Sequence, residues 1–422
     1  MLKRLLVLGL VLGLVLPAAL STPKSFAQSA VSRQPEIAGL SQERLGKLAS
    51  VFRADVDEGR IPGVVLLVAR NGEIALFEAI GFRDRAANAP MKKDDIFRLY
   101  SMTKPIVSVA AMMLVEEGRL LLSDPVSKHM PELKGLKVGV EKPDADGKPV
   151  LELVPAAREM TVQDLLRHTS GITYGIFGRS LVKQAYNELN PLDGNQTSGE
   201  LVAKLAKLPL AFQPGTTWDY GQSTDLLGVL VERVSGKPLD MFLEERILRP
   251  LGMQDAGFFV PESKQARLAE AQPEGGKPQR LLDVSKRPTF LAGGHGMVST
   301  ANDYLRFATM LLNGGELDGV RLLGTKTVAY MTSDHLGGLS RGPAFSPGPG
   351  YSFGLGFGVR TQEGVAAAPG SAGDYYWGGL GGTYFWADPK EKLVAILMLQ
   401  APSQRDYYRA LFRSLVYAAL VK

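Results

Sequence analysis

The chain has 422 residues, 45% hydrophobic and 22% charged, with 47 glycines, 26 prolines and no cysteine. That balance is ordinary for a globular protein with a substantial core, and the absent cysteines exclude disulfide and thiolate chemistry. The formal charge of +5 falls to +2 when residues 1–27 are set aside, since Lys3, Arg4 and Lys24 go with them and no acid does. No basic face for nucleic acid is therefore expected.

Residues 1–27 read as a signal peptide. Lys3 and Arg4 make a positive start, Leu5 to Leu16 is apolar, Pro17 follows, and Ser25-Phe26-Ala27 offers small residues where a signal peptidase cuts. The apolar run is too short to span a bilayer, and with no cysteine after it a lipid anchor is excluded. The expectation is a secreted or periplasmic protein with no stable membrane anchor after cleavage; an uncleaved N-terminal anchor is the alternative. Residues 28–422 show no fixed-period repeat and are expected to form a single domain.

In chain order, Ser41 is placed to cap a helix whose Leu45, Leu48, Phe52 and Val56 share one face until Gly59. Gly63 to Arg70 and Glu73 to Phe82 read as strands joined by an Asn71-Gly72 turn. Ile96 to Tyr100 reads as a short strand leading into Ser101, and an apolar helix follows to about Glu117. The middle is mainly helical: Val162 to Arg167 capped by Thr161, Gln222 to Val234, Leu239 to Leu248, and Asn302 to Leu312. Residues 135–155 and 335–350 are rich in glycine and proline and read as surface loops. Tyr351 to Arg360, Thr383 to Ala387 and Leu393 to Gln400 read as strands, and a last helix starts at Ser403. The simplest assembly is an α+β fold. One antiparallel sheet comes from both termini (about 40–100 and 285–422), with a mainly helical region (about 101–284) inserted, leaving a cleft between the two parts.

Three Ser-x-x-Lys spacings occur: Ser21/Lys24, Ser101/Lys104 and Ser180/Lys183. The first leaves with the signal peptide, and the third lies in a polar stretch. Only Ser101 stands between a strand and an apolar helix. A serine at a helix start has the positive end of the dipole near its oxygen. Lys104 lies over the same turn, and burial disfavours a charged ammonium, so it is a candidate base. The plain alternative is an N-cap serine beside an exposed lysine. Tyr220, after the Pro214-Gly215 turn, can shuttle a proton from a cleft rim, or be an ordinary loop aromatic. Trp377-Gly378-Gly379-Leu380-Gly381-Gly382-Thr383 precedes a strand and lets backbone approach a ligand closely, or serves as a hairpin lead-in.

As an ordered set, Ser101-Met102-Thr103-Lys104, Tyr220-Gly221-Gln222 and Trp377-Gly378-Gly379 resemble the serine β-lactamase and penicillin-binding-protein family. They are most similar to its class C-like branch, the family VIII carboxylesterases. Leu165 to Gly171 and Gly382 to Pro389 look like further stretches common there. The resemblance implies a β-lactamase/transpeptidase-like fold over residues 42 to 420. It also implies Ser101 as the acylated nucleophile, Lys104 and Tyr220 as base and acid in an order left open, and Ser101 and Leu380 N–H groups as the oxyanion hole. Gln222, Trp377, Gly378 and Gly379 would line the substrate. Neither metal nor cofactor is implied.

Two departures bear on substrate. The family's lactamases and peptidases usually place a lysine where Trp377 stands, and an indole cannot supply that charge, though it can pack against an apolar ester. Gln222 replaces the usual asparagine. Both favour a neutral small-molecule acyl substrate. Of the histidines, His168 follows a helix and is expected to satisfy its last carbonyls. His295, within Gly293-Gly294-His295-Gly296, is kept as a cleft neighbour. No histidine and carboxylate pair has metal spacing, and no Gly-x-Ser-x-Gly elbow occurs. The reading is an exported serine hydrolase of carboxylic esters. The alternatives are a β-lactamase or D-amino-acid peptidase, and a non-catalytic binding protein that keeps the fold. Oligomeric state is not legible.

Overall fold

Two strands in this chain are continuous apolar runs, broken only by a terminal arginine on one, and they lie side by side inside the main sheet. Gly63–Arg70 pairs antiparallel with Leu393–Leu399, Val65 opposite Met398 and Leu67 opposite Ile396. Strands buried on both faces lose the usual apolar–polar alternation, and here successive residues feed different cores. Val65, Leu67, Val394 and Ile396 face one hydrophobic cluster. Val64, Leu66, Leu397 and Leu399 face another. The computed structural model describes residues 35–343 and 345–422. Residues 1–27, read from sequence as a signal peptide, lie outside the described residues, and the Ser21/Lys24 pair with them.

The sheet has eight strands, all neighbours antiparallel. Their spatial order is Tyr351–Phe353, Gly358–Arg360, Tyr375–Gly378, Tyr384–Asp388, Leu393–Leu399, Gly63–Arg70, Glu73–Asp84, Ala89–Pro90. It is thus built from both ends of the chain, as expected. Helices α1 (Gln42–Asp57) and α10 (Arg405–Ala419) cover one face, through Leu45, Leu48, Phe52, Tyr408, Phe412 and Val416. Ser41 caps α1 by accepting the Arg44 N–H. The other face carries the larger core, with α2 (Thr103–Glu116), α6 (Ser223–Ser235) and α8 (Ala301–Leu312). Helix α2 is buried all round from Thr103 to Leu114, so its lysine had to find partners inside the protein.

Several expectations need correction. Residues 135–155 are a hairpin, Lys137–Pro143 paired with Pro149–Pro155. Its turn is made by Asp144, whose carboxylate accepts the N–H groups of Asp146 and Lys148, and the many exposed charges hid the strand pattern. Tyr351 to Arg360 is two short strands, not one, folded back through Gly354–Phe357. The Trp377 to Thr383 run, offered as a lead-in, starts inside a strand, Tyr375–Gly378, that lies between Gly358–Arg360 and Tyr384–Asp388. The strand before Ser101 is only Phe97–Arg98, and it pairs with Val298–Ser299 outside the main sheet. A helix also stands in the stretch read as polar: α4 (Leu181–Leu189), capped by Ser180.

Candidate active site

Ser101 sits on a single tight turn, Tyr100–Met102, that runs directly into α2. Tyr100 before it is left-handed, with φ 47°. A non-glycine residue held there costs roughly 1–2 kcal/mol, so its surroundings must hold it. They do: the Leu282 N–H donates to the Tyr100 hydroxyl at 2.9 Å, Met102 N–H donates to Leu99 O at 3.1 Å, and the Tyr304 hydroxyl donates to Met102 O at 3.0 Å.

Lys104 is fully buried one turn on. Its Nζ donates to Ser101 Oγ at 3.3 Å, to the Tyr174 hydroxyl at 3.3 Å and to Gly294 O at 2.8 Å. Three acceptors from three separate segments thus surround the amine. The amine also stands 4.7 Å from the centre of the Tyr220 ring, a cation–π placement.

Behind this amine lies a carboxylate that sequence reasoning missed. Asp225, in the first turn of α6, accepts the Gly294 N–H at 2.8 Å and stands 3.3 Å from His295 Nδ1. The Tyr174 hydroxyl points at its other oxygen from 3.5 Å. Burial pushes the Asp225 carboxyl up, but His295, Lys104 and the Gly294 N–H together outweigh it and the net displacement is down. Burial, then Asp225 and Tyr220, push the Tyr174 phenol well above its usual range, so it stays a protonated donor. Ser101, Lys104, Tyr174, Asp225 and His295 thus form one chain of contacts. The glycines of residues 293–296 make it possible, because a side chain at Gly294 would run into Asp225. The available signal was an aspartate at a buried position of an apolar helix, five residues after Tyr220.

Tyr220 is 8% exposed and set among rings: His168 at 5.0 Å, Tyr174 at 5.4 Å, Trp377 at 5.5 Å and Trp218 at 5.8 Å, the last stacked. Such pairs contribute about 0.5–1.5 kcal/mol each and fix the ring. The Trp377 indole N–H donates to the Tyr220 hydroxyl at 3.3 Å. Trp377 is itself 4% exposed, so it stands behind Tyr220 rather than forming an open wall for substrate. Gln222, two residues after Tyr220, is buried, its Oε1 unpaired among the described residues. His168 does not cap its helix with its side chain. The ring packs against Trp218, Tyr220 and Phe353, with Nε2 3.4 Å from Thr224 Oγ1. Burial, then Lys104, hold this imidazole well below its usual pKa, so it is neutral.

After the Tyr375–Gly378 strand the chain turns at Gly379–Gly382, where Gly382 N–H donates to Gly379 O at 3.1 Å. A side chain at Gly379 would run into the Leu99 carbonyl, so this turn is pressed against the segment that leads to Ser101. The turn's own bond does not use the Leu380 N–H. Arg409 braces it by donating to the carbonyls of Gly379 and Thr383 and lies against Gly378. The Leu380 side chain is 46% exposed. The three segments singled out by sequence, around Ser101, Tyr220 and Trp377, therefore meet in one place.

The Beta-lactamase family model matches residues 48–418. The chain is 38% identical to protein Rv1367c of Mycobacterium tuberculosis over 367 residues, 84% of this chain and 89% of that one. It is 32% identical to esterase EstB of Burkholderia gladioli over 398 residues, covering 88% and 94% of the two. The solved structure of EstCE1, described as a hydrolase with promiscuous acyltransferase activity, superposes with a TM-score of 0.76 at 27% identity, covering 89% of this chain and 99% of that one. The chain belongs to the beta-lactamase family and is a serine hydrolase within it, related to esterases and acyltransferases.

Proposed function

We propose that this protein is exported and hydrolyses carboxylic esters of small molecules through an acyl-enzyme on Ser101. The observation that carries the reading is the 3.3 Å contact from Lys104 Nζ to Ser101 Oγ, in a site where Trp377 donates to Tyr220. The Ser101 oxygen attacks the ester carbonyl, and its proton passes into the Lys104/Tyr220 pair. An N–H aimed at the Tyr220 oxygen favours negative charge there during that transfer. The N–H groups of Ser101 and Leu380 hold the tetrahedral oxyanion, the alcohol leaves with the proton, and water repeats the sequence to release the acid. Tyr174 and Asp225 act through Lys104, as positioning residues.

Ester rather than lactam chemistry is supported by the indole at position 377, which brings no cation for a substrate carboxylate, and by the likeness to EstB. Export rests on residues 1–27. The likeness to EstCE1 favours a second outcome at the same site, transfer of the acyl group to an alcohol in place of water. Steady-state rates on 4-nitrophenyl butyrate and on a chromogenic cephalosporin test the choice. The ester is expected to turn over faster by kcat/KM; faster turnover of the cephalosporin contradicts it.

A further inference from the structure

The third Ser-x-x-Lys spacing has a use of its own. Ser180 Oγ accepts the Lys183 backbone N–H at 3.1 Å, as an N-cap does, and the Lys183 amine turns away from it. Lys183 Nζ donates to Phe177 O and stands 3.6 Å from Asp219 Oδ1, with both side chains buried. One turn further along α4, Asn187 Nδ2 donates to Gly175 O at 3.1 Å. Positions 183 and 187 share a helix face, so α4 grips the Gly175–Gly178 segment at two carbonyls. A side chain at Gly175 would run into Asn187, so the fit is close.

That segment reaches the reaction centre. Its half-buried Phe177 ring lies 5.7 Å from the Tyr174 ring and 6.0 Å from the Tyr220 ring, and those two rings hold Lys104. Ile176 beside it is 59% exposed, and Leu380 in the Gly379–Gly382 turn is 46% exposed. Asp219 ties Lys183 to both tyrosines: it precedes Tyr220 in the chain, and its Oδ2 accepts the Thr173 hydroxyl at 2.5 Å, next to Tyr174. Burying an ion pair adds little net stability because desolvation offsets the attraction. What it does supply is a fixed position.

We infer that Ile176 and Phe177 are the wall of the acyl site, that they favour esters of extended apolar acids over acetate, and that Lys183 is the positioning residue that holds the wall. The inference rests on the proposed esterase reading. An octanoyl chain leaving the carbonyl at Ser101 would lie on the Phe177 ring and Ile176, whereas an acetyl group ends before reaching them.

The test measures kcat and KM on 4-nitrophenyl acetate and 4-nitrophenyl octanoate for the full chain, Phe177→Ala, Lys183→Met and Lys183→Arg. For Phe177→Ala the octanoate-to-acetate ratio of kcat/KM is expected to fall roughly tenfold, carried by the KM for octanoate. Lys183→Met should move the ratio the same way, and Lys183→Arg should restore part of it. An unchanged ratio in Phe177→Ala, or equal loss on both esters, overturns the inference while leaving Ser101-dependent ester hydrolysis intact. If Lys183→Met does not fold, Phe177→Ala decides alone, since its ring is only half-buried. Absence of Ser101-dependent acetate hydrolysis in the unsubstituted protein would instead overturn the esterase reading, and this inference with it.

Discussion

Residues 101–104 and 180–183 carry the same spacing, serine and lysine three apart at a helix start, yet the two lysines do opposite things. Lys104 reaches back to its serine, with Nζ 3.3 Å from Ser101 Oγ. Lys183 reaches away, to Phe177 O and Asp219, and Ser180 is left to cap α4 with its oxygen. Both amines are buried, so burial alone does not bring a lysine to its serine. The difference lies in what surrounds the helix. Around α2, the Gly294 carbonyl and the Tyr174 hydroxyl converge from two other segments and hold the amine beside Ser101. Around α4, the acceptors lie on a loop and at a buried aspartate on the far side. Ser101 is also free of capping duty, because the turn ahead of α2 uses no side-chain cap. Ser180 Oγ is held by a backbone N–H of its own helix, whereas Ser101 Oγ meets the side-chain amine of Lys104.

The contrast can be broken most sharply at the first pair. Ser101→Ala should lower kcat/KM on 4-nitrophenyl butyrate by at least about 10⁴-fold, and Lys104→Ala by about 10³-fold, with circular dichroism unchanged for the serine variant. Near-normal rates in either variant would place the chemistry elsewhere.

A smaller effect separates the two surroundings by pH. His168, beside Lys104, is fully buried and held neutral, well below its ordinary value. In the unfolded chain the same imidazole titrates near the usual histidine value of about 6.5. Below that pH the unfolded state binds a proton that the folded state refuses, so this residue contributes stability that is present above the unfolded value and lost on acidification. The loss attributable to it approaches about 1.4 kcal/mol per pH unit below that point. Denaturant unfolding at about pH 7.5 and about pH 5.5, on either side of the unfolded value, should show a drop that shrinks in His168→Asn, a residue that tolerates the left-handed backbone found there (φ 57°). An identical drop in the variant would contradict the assignment. The smallest effect belongs to the second pair. Ser180→Ala should cost about 1 kcal/mol of stability by loss of the cap and leave kcat/KM on the short ester unchanged.

Much of the site was legible in the sequence. Ser101, Lys104, Tyr220 and the Trp377–Leu380 run were each ambiguous alone, but their order along the chain was not, and they converge in space. Tyr174 and Asp225 were not legible. Their importance comes from a contact between α6, the loop after α3 (Val162–Leu166) and the Gly293–Gly296 turn, which no local pattern encodes. Trp377 was legible as a missing cation but not as a donor to Tyr220, because side-chain direction at a strand end depends on the neighbouring strand. In the fold, the central strands followed from their continuous apolar, β-branched runs and the terminal helices from periodicity. The 137–155 hairpin and the Tyr375–Gly378 strand did not: one is too charged, the other too rich in bulky aromatics beside glycine to show alternation. The left-handed Tyr100 had no signal at all, since its conformation is imposed by Leu282, Leu99 and Met102.

The most direct test of the central claim is mass spectrometry of the folded protein after treatment with a 4-nitrophenyl alkylphosphonate. A single adduct on the peptide containing Ser101, absent in Ser101→Ala and present in Ser180→Ala, is the predicted result. No adduct, or one on the peptide containing Ser180, would contradict the assignment of the nucleophile.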